Sequence, residues 1–265
     1  MSKLSRKEIK KIGDHLYDCM KERKTTLPLT QTYPNITVED AYRISLSMLE
    51  RRVSAGEKIV GKKIGVTSHA VQSMLSVFEP DFGFLTDAMI YENGAKMPIS
   101  STLIQPRAEG EIAFKLKKSL PTSGVTKKDV LSATEWIAPC FEIVDSRIAN
   151  WQIRIEDTIA DNASCGLFLL GDDKKDPRDV DLETCGMVVE KNGKIISTGA
   201  GAAVQGSPLI AIAWLANKLG SFGIPLEQGD LILSGSLVPL EPVKPLDTMS
   251  LRIGSGIGSA QVSFV

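Results

Sequence analysis

Apolar residues recur at helical spacing near the start of the chain. Ser5 and Glu8 form a capping-box pattern, which predicts a helix over residues 6–22. A second run of apolar residues at helical spacing follows Thr37, and Gly56 supplies the expected stop. These two segments predict a helical region at the N-terminus.

After residue 58 the pattern changes to short apolar or alternating runs separated by turns, which is typical of β-strands. The predicted strands lie in the segments IVGKKIGV, FGFLTDAMIYENG, EIAFKL, APCFEIVDS, GLFLLG and CGMVVEKNGKIIS. Asparagine-glycine pairs predict hairpin turns at Glu92-Asn93-Gly94 and at Asn192-Gly193.

Two helices are predicted to interrupt this β-rich part, over residues 126–136 and over residues 208–219, the second with Ser207 as its N-cap. Strands that do not alternate regularly with helices favour a mixed sheet over a doubly wound parallel one. The predicted fold class is therefore α+β. It consists of an N-terminal helical region (residues 1–58) and a mixed β-sheet roll (residues 59–265).

Composition and charge exclude several classes of partner. The chain has 265 residues, of which 43% are hydrophobic, and it carries 31 Lys plus Arg against 32 Asp plus Glu. A balanced charge without a basic block argues against binding to nucleic acid or to an anionic membrane. The chain also lacks a secretory signal and a long apolar run, so a cytoplasmic protein with a small-molecule partner is expected.

A zinc site built on thiolates or imidazoles is not expected. The four cysteines form no C-x-x-C pair, and the chain contains two histidines, His15 and His69. The cysteines are expected to be reduced and mostly buried.

Residues 105–114, QPRAEGEIAF, place Glu109 and Glu111 two positions apart where an apolar strand begins. Because side chains alternate across a strand, both carboxylates project from one face, while Ile112 and Phe114 occupy the other. This face is either an ordinary solvent-exposed sheet surface or part of a metal site.

Glu142 lies inside another apolar strand, between Phe141 and Ile143. A buried carboxylate needs a cation, a metal or a proton, and Arg147 is one candidate for the cation. Three converging carboxylates would instead suit a hard divalent ion such as Mg²⁺ or Mn²⁺.

Two further polar residues occur in apolar settings. Lys63 belongs to a predicted strand, and Asp81 sits among aromatic residues after a proline. Each also has an ordinary structural interpretation, Lys63 as a lysine at the rim of the core and Asp81 as a turn residue.

Several ordered motifs together resemble the hydratase/decarboxylase family of aromatic meta-cleavage pathways, within the fumarylacetoacetate hydrolase superfamily. They are G-K-K-I-G-V-T-S, P-D-F-G-F-L, Q-P-R-A-E-G-E-I-A-F, C-F-E-I-V-D-S-R, D-T-I-A-D-N-A-S-C-G and G-D-L-I-L-S-G-S-L. The resemblance implies a β-rich catalytic domain like the C-terminal domain of that superfamily, and it implies a homo-oligomer that could associate with a neighbouring pathway enzyme.

The resemblance also implies roles for individual residues. The superfamily's metal site is an E-x-E motif followed about thirty residues later by a third acid, and here 142 − 111 = 31. Glu109, Glu111 and Glu142 are thus expected to bind Mg²⁺ or Mn²⁺. Lys63 and Asp81 match the family's proton-handling pair, with a lowered lysine pKa and a raised aspartate pKa expected.

Ser164 and Ser234 match positions that could donate hydrogen bonds to a substrate, although both also fit ordinary turn or cap hydroxyls. The implied reaction is addition of water to 2-hydroxypenta-2,4-dienoate, giving 4-hydroxy-2-oxopentanoate. Alternatives are decarboxylation of 4-oxalocrotonate, hydrolysis of a C–C bond in an acylpyruvate, and a non-catalytic subunit of a lyase complex.

The end of the substrate that lies away from the metal separates the first two reactions. A hydratase substrate ends in an uncharged vinyl group, for which Phe82, Phe84 and Leu85 are expected to supply an apolar wall. A decarboxylase substrate ends in a second carboxylate and calls for a cation such as Arg107 or Arg147.

Overall fold

The computed structural model of the protein describes residues 3–265. Its α-helices are α1 (Arg6–Glu22), α2 (Leu29–Thr32), α3 (Val38–Ser54), α4 (His69–Leu75), α5 (Ile99–Thr102), α6 (Lys127–Ala133), α7 (Ile155–Ala160) and α8 (Pro208–Gly220). Its β-strands are β1 (Ile59–Gly65), β2 (Asp81–Thr86), β3 (Ile90–Tyr91), β4 (Lys96–Met97), β5 (Arg107–Leu116), β6 (Thr134–Val144), β7 (Cys165–Leu170), β8 (Gly186–Lys191), β9 (Lys194–Ala200), β10 (Leu231–Leu233), β11 (Glu241–Pro242), β12 (Thr248–Ile253) and β13 (Gly258–Phe264).

Within residues 3–265 the strands form two mixed sheets. The eight-stranded sheet has the order β2-β1-β10-β5-β6-β7-β3, with β11 also paired to β5, and the five-stranded sheet has the order β4-β13-β12-β8-β9. The parallel pair of β1 and β10 lies beside antiparallel pairs such as that of β5 and β6. The predicted α+β class with a mixed sheet is confirmed.

The N-terminal helices begin as predicted and pack on the eight-stranded sheet. Side chains and backbone form complete capping boxes at Ser5 with Glu8 and at Thr37 with Asp40. The buried faces of α1 and α3 belong to the same hydrophobic cluster as Phe82 of β2. The division of the chain at residue 58 stays a prediction.

The pairing of β5 with β6 forms the centre of the eight-stranded sheet. Gly110 of β5 points away from the neighbouring glutamates and towards the five-stranded sheet. A Cβ atom at Gly110 would lie 2.6 Å from the sulfur of Met187 and 3.3 Å from a methyl group of Leu251. The two sheets therefore pack closely against each other behind this residue.

Two local predictions are wrong. The helix predicted over residues 126–136 ends at Ala133, and Thr134 begins β6, because pairing along β5 outweighs the local helical pattern. The turn at Gly94 does not join a hairpin. The strand before it pairs with β7, whereas the strand after it pairs with β13 in the other sheet.

Other local predictions are confirmed. Asn192 and Gly193 have φ of 52° and 74° and connect the antiparallel strands β8 and β9. Ser207 precedes α8 as expected, but its side chain forms no capping hydrogen bond. All four cysteines are free and buried. Among residues 3–265, no helix is both long enough and apolar enough to cross a bilayer.

Candidate active site

Three buried carboxylates meet on one face of the eight-stranded sheet. In the register of β5 and β6, Glu109 lies directly opposite Glu142, and Glu111 lies opposite Cys140. Directly opposed side chains on one face are close neighbours. One carboxylate oxygen from each of Glu109, Glu111 and Glu142 lies within 4.8 Å of the others. The structure thus brings together the three predicted metal ligands.

Burial and mutual repulsion make these carboxylates difficult to ionise. Burial and the adjacent Glu142 carboxylate raise the pKa of Glu109 to about 8. Burial also raises the pKa of Glu111 well above its ordinary value, although its Oε2 accepts a hydrogen bond from Gly235 N–H at 2.8 Å. Glu111 Oε1 and Glu142 Oε2 have no hydrogen-bond partner among residues 3–265. Orphaned carboxylate oxygens at this spacing fit a hard divalent cation.

Lys63 supplies the positive charge beside this cluster. Its Nζ lies 3.2 Å from Glu142 Oε1, and its side chain is 2% exposed. The lowered pKa expected for Lys63 beside a bound metal stays a prediction, and the protein's own side chains shift the lysine pKa the other way. Burial lowers the lysine pKa, but the carboxylates of Glu142 and Asp81 outweigh burial and raise it. The carboxylates beside Lys63 thus favour its ammonium form.

Asp81 begins β2 opposite Gly65 of β1. A Cβ atom at Gly65 would lie 2.2 Å from Asp81 Oδ1 and 3.3 Å from Lys63 Nζ, so glycine is required where these two side chains approach the strand. Thr158 Oγ1 donates to Asp81 Oδ2 at 2.9 Å, while Oδ1 has no hydrogen-bond partner in the described chain. Burial raises the pKa of Asp81, as expected.

A narrow cavity of about 20 Å³ connects these groups. Its polar lining consists of Lys63, Asp81, Glu109, Thr158 and Ser164. Its apolar lining includes Val71, Leu75, Val144, Trp151 and Leu240, which pack on one another. A space of this volume holds about one water molecule, so its walls must move to admit a larger ligand.

The prediction that Phe82, Phe84 and Leu85 form an apolar wall of the site is wrong. Phe82 stacks on Tyr42 with ring centroids 4.2 Å apart, and neither Phe84 nor Leu85 is in the cavity lining. Alternation along β2 turns Phe82 and Phe84 to the face opposite Asp81. The apolar wall comes instead from α4, the end of β6 and two loops.

The two predicted serines occupy different positions. Ser164 lines the cavity, with its Oγ 3.5 Å from Asp161 Oδ2. Ser234 is fully buried and its Oγ has no hydrogen-bond partner within residues 3–265, but it does not line the cavity. It directly precedes Gly235, whose N–H binds Glu111.

Neither predicted arginine reaches the cavity lining. Arg147 is buried and pairs with Asp161 through its Nε, so it is not the cation beside Glu142. The guanidinium of Arg107 stacks over the ring of Trp151 at 4.5 Å. His15 and His69 are both exposed and also lie outside the lining.

Residues 58–265 match the fumarylacetoacetate (FAA) hydrolase C-terminal family. The chain belongs to this family. The family match covers both sheets and every one of the seven residues predicted for the site.

Within the fumarylacetoacetate hydrolase family, the chain is similar to several characterised proteins. It is 66% identical over 216 residues to a 2-hydroxypent-2,4-dienoate hydratase of Pseudomonas putida, covering 82% of this chain and 97% of the relative. It is 56% identical over 253 residues to a 2-hydroxyhexa-2,4-dienoate hydratase of Comamonas testosteroni, covering 95% and 96%. A solved 4-oxalocrotonate decarboxylase from Pseudomonas putida G7, complexed with magnesium and adipate, superposes with a TM-score of 0.95 at 34% identity and complete coverage of both chains.

Several residues around the candidate site were not predicted. Thr158 bonds Asp81 and lies within the motif D-T-I-A-D-N-A-S-C-G, and that motif is a signal that could have identified it. The apolar wall gives no comparable signal, because its residues come from segments far apart in the chain. A larger cavity of about 850 Å³ lies on the five-stranded sheet, with Val188, Ile195 and Arg252 in its lining, and none of the three acids lines it.

Proposed function

We propose that the protein is a metal-dependent hydratase that adds water to 2-hydroxypenta-2,4-dienoate to give 4-hydroxy-2-oxopentanoate. The observation that carries this proposal is a cluster of three buried carboxylates with Lys63 beside it, next to a cavity that Lys63, Asp81 and Glu109 line. The 66% and 56% identical relatives, both named as hydratases of short 2-hydroxydienoates, support the same reaction class. The enzyme would be a hydro-lyase.

Glu109, Glu111 and Glu142 would hold a divalent cation, Mg²⁺ or Mn²⁺, through their converging carboxylate oxygens. The magnesium complex of the 34% identical decarboxylase supports a divalent metal. When bound, the cation would supply Lewis-acid chemistry at the substrate's 2-oxygen.

Lys63 would stabilise the negative charge that develops on the substrate's 2-oxygen. Its ammonium group is held beside Glu142 and faces the cavity, where little water screens its charge. A preorganised cation in a buried site stabilises a developing oxyanion far more than it would in water.

Asp81 would move the protons. In its protonated form it would donate to C5 and then accept a proton from the water that attacks C4, while the proton lost from the 2-hydroxyl is balanced by the one gained at C3. Thr158 donates a hydrogen bond to Asp81 Oδ2, and Oδ1 has no hydrogen-bond partner within residues 3–265. Oδ1 is therefore available for this exchange. A raised carboxyl pKa is suited to proton transfer near neutral pH.

Replacement of Thr158 by valine should lower kcat about tenfold while leaving metal affinity unchanged. The substitution keeps the shape of the side chain but removes the hydrogen bond that orients Asp81, and a bond to an ionisable group contributes about 1.5–3 kcal/mol. Steady-state kinetics and metal titration would measure both effects. Thr134→Val is the matched control, because Thr134 is equally buried but bonds the Val130 carbonyl. Equal losses in the two variants would contradict the role of Thr158.

The apolar part of the cavity, where the end of the substrate away from the metal would lie, favours the hydratase over the alternative functions. Val71, Val144 and Leu240 form an apolar surface there, whereas a dicarboxylate substrate would need a cation in contact with its far end. Hydrolysis of a C–C bond in an acylpyruvate would call for a histidine near the site. It is disfavoured because His15 and His69 both lie outside the cavity lining.

The direct test follows the absorbance of freshly prepared 2-hydroxypenta-2,4-dienoate in the presence of the protein. We expect decay with Mg²⁺ or Mn²⁺, complete loss of activity in excess chelator, and recovery when the metal is restored. Full activity in chelator would refute the metal site. A folded, metal-loaded protein that turns over neither the dienoate nor 4-oxalocrotonate would favour the non-catalytic subunit.

The cytoplasmic location, the homo-oligomer and an association with a neighbouring pathway enzyme remain predictions. Size-exclusion chromatography with light scattering measures the second of these directly.

A further inference from the structure

Arg107 lies on the same face of β5 as the first two proposed metal ligands. It precedes Glu109 by two residues, and alternation along the strand therefore directs it to the side of the sheet that carries the cavity. Its guanidinium nevertheless does not line the cavity. The indole of Trp151 lies between them, lining the cavity while Arg107 Cζ sits 4.5 Å from the ring centroid.

The fold holds Trp151 firmly in this position. Its Nε1 donates to the Gln105 carbonyl at 3.1 Å. Asn150 and Trp151 have φ of 57° and 56°, a left-handed conformation that is unfavourable for a bulky side chain. Such a conformation persists only where surrounding contacts impose it, so the placement of the indole is enforced by the structure.

Arg107 does not form an ion pair with an acidic side chain of the described residues. Its Nη1 contacts the sulfur of Met74 at 3.9 Å, and no ion pair to Arg107 occurs among residues 3–265. Stacking on an indole leaves the in-plane N–H groups of a guanidinium free to bind a carboxylate. The Arg107 guanidinium is thus separated only by the Trp151 side chain from the part of the cavity where the substrate tail would lie.

We propose that Trp151 determines substrate specificity by screening Arg107 from the cavity. With the indole in place, the site accepts 2-hydroxydienoates whose tail is hydrogen or alkyl and rejects those whose tail ends in a carboxylate. This inference rests on the proposed function, because it names the substrate class of the same site. Removing the indole exposes the guanidinium, which then binds a tail carboxylate.

The test compares two ligands of equal length, 2-oxohexanoate and 2-oxoadipate, by calorimetry on the Mn²⁺-loaded protein. The wild-type protein should prefer 2-oxohexanoate. In Trp151→Ala the affinity for 2-oxoadipate relative to 2-oxohexanoate should rise about tenfold or more, as expected for a new charge-assisted hydrogen bond. Trp151→Phe keeps an aromatic ring in place and should retain the wild-type preference.

A second substitution separates the role of Arg107 from a simple gain of space. Trp151→Ala combined with Arg107→Met should lose the gain for 2-oxoadipate while still binding 2-oxohexanoate. An unchanged ratio in Trp151→Ala, or a gain that survives Arg107→Met, overturns the proposal. If Trp151→Ala does not fold, Trp151→Leu preserves apolar packing and allows the same comparison.

These binding ratios do not depend on turnover. Failure of the wild-type protein to hydrate the dienoate would refute the proposed function and leave the ratios measurable. Conversely, a hydratase whose ratios do not respond to Trp151 would refute the specificity inference alone.

Discussion

Glu111→Gln should reduce kcat/KM by about three orders of magnitude or more, because it removes one of the three carboxylates proposed to bind the metal. The amide oxygen of glutamine can still accept the hydrogen bond from Gly235 N–H, so the local fold should be retained. Isothermal titration with Mn²⁺ should show metal affinity weakened at least about a hundredfold.

The stability of the metal-free variant provides a second, independent readout. Glu111 is fully buried, and Glu109 and Glu142 raise its pKa by repulsion in addition to the effect of burial. Relieving that repulsion should leave the metal-free Glu111→Gln protein as stable as the wild type or more stable. Glu135→Gln is the matched control, since Glu135 lies on β6 with Glu142 but is exposed. Wild-type metal affinity in Glu111→Gln would exclude Glu111 as a ligand.

Lys63→Met should lower kcat by about a hundredfold or more, because methionine fills the space of the lysine stem without its charge. Metal affinity should be maintained, since the substitution removes a positive charge from the side of Glu142. Steady-state kinetics at saturating Mg²⁺ or Mn²⁺, combined with metal titration, would separate the two quantities.

The adjacent lysine is a stringent control for this substitution. Lys62 is also buried, but it projects to the other face of β1, where its Nζ lies 2.6 Å from Asp230 Oδ2. Lys62→Met leaves Asp230 buried without its cation, so it should lower the free energy of unfolding while leaving kcat close to that of the wild type. Near wild-type turnover in Lys63→Met would contradict a catalytic role for Lys63 and indicate a structural one.

Local patterns predicted the parts of the fold that local interactions determine. The capping boxes at Ser5 and Thr37, and the hairpin at Asn192-Gly193, depend on residues within a few positions of one another. The helix predicted over residues 126–136 was right up to Ala133 and wrong for the last three residues, because these belong to β6 and their pairing partner, β5, is specified elsewhere in the chain.

The same distinction applies to the candidate site. Alternation along a strand placed Glu109 and Glu111 on one face, and the motif spacing indicated Glu142 as their neighbour. The direction of the Lys63 pKa depends on the balance between burial and two carboxylates from other strands, and strand patterns do not contain that balance. The apolar wall is likewise assembled from α4, β6 and loops that meet only in the folded chain.

The close approach of the two sheets behind Gly110 affects how this enzyme could be altered by directed evolution. A library that randomises the E-G-E segment would lose most substitutions at Gly110, because any side chain there meets Met187 and Leu251 of the other sheet. Substitutions at Leu240 in the cavity wall meet no such constraint from the second sheet. Strand β5, which carries two of the proposed metal ligands, is thus a fixed scaffold, and new substrate ranges would be sought among the wall positions.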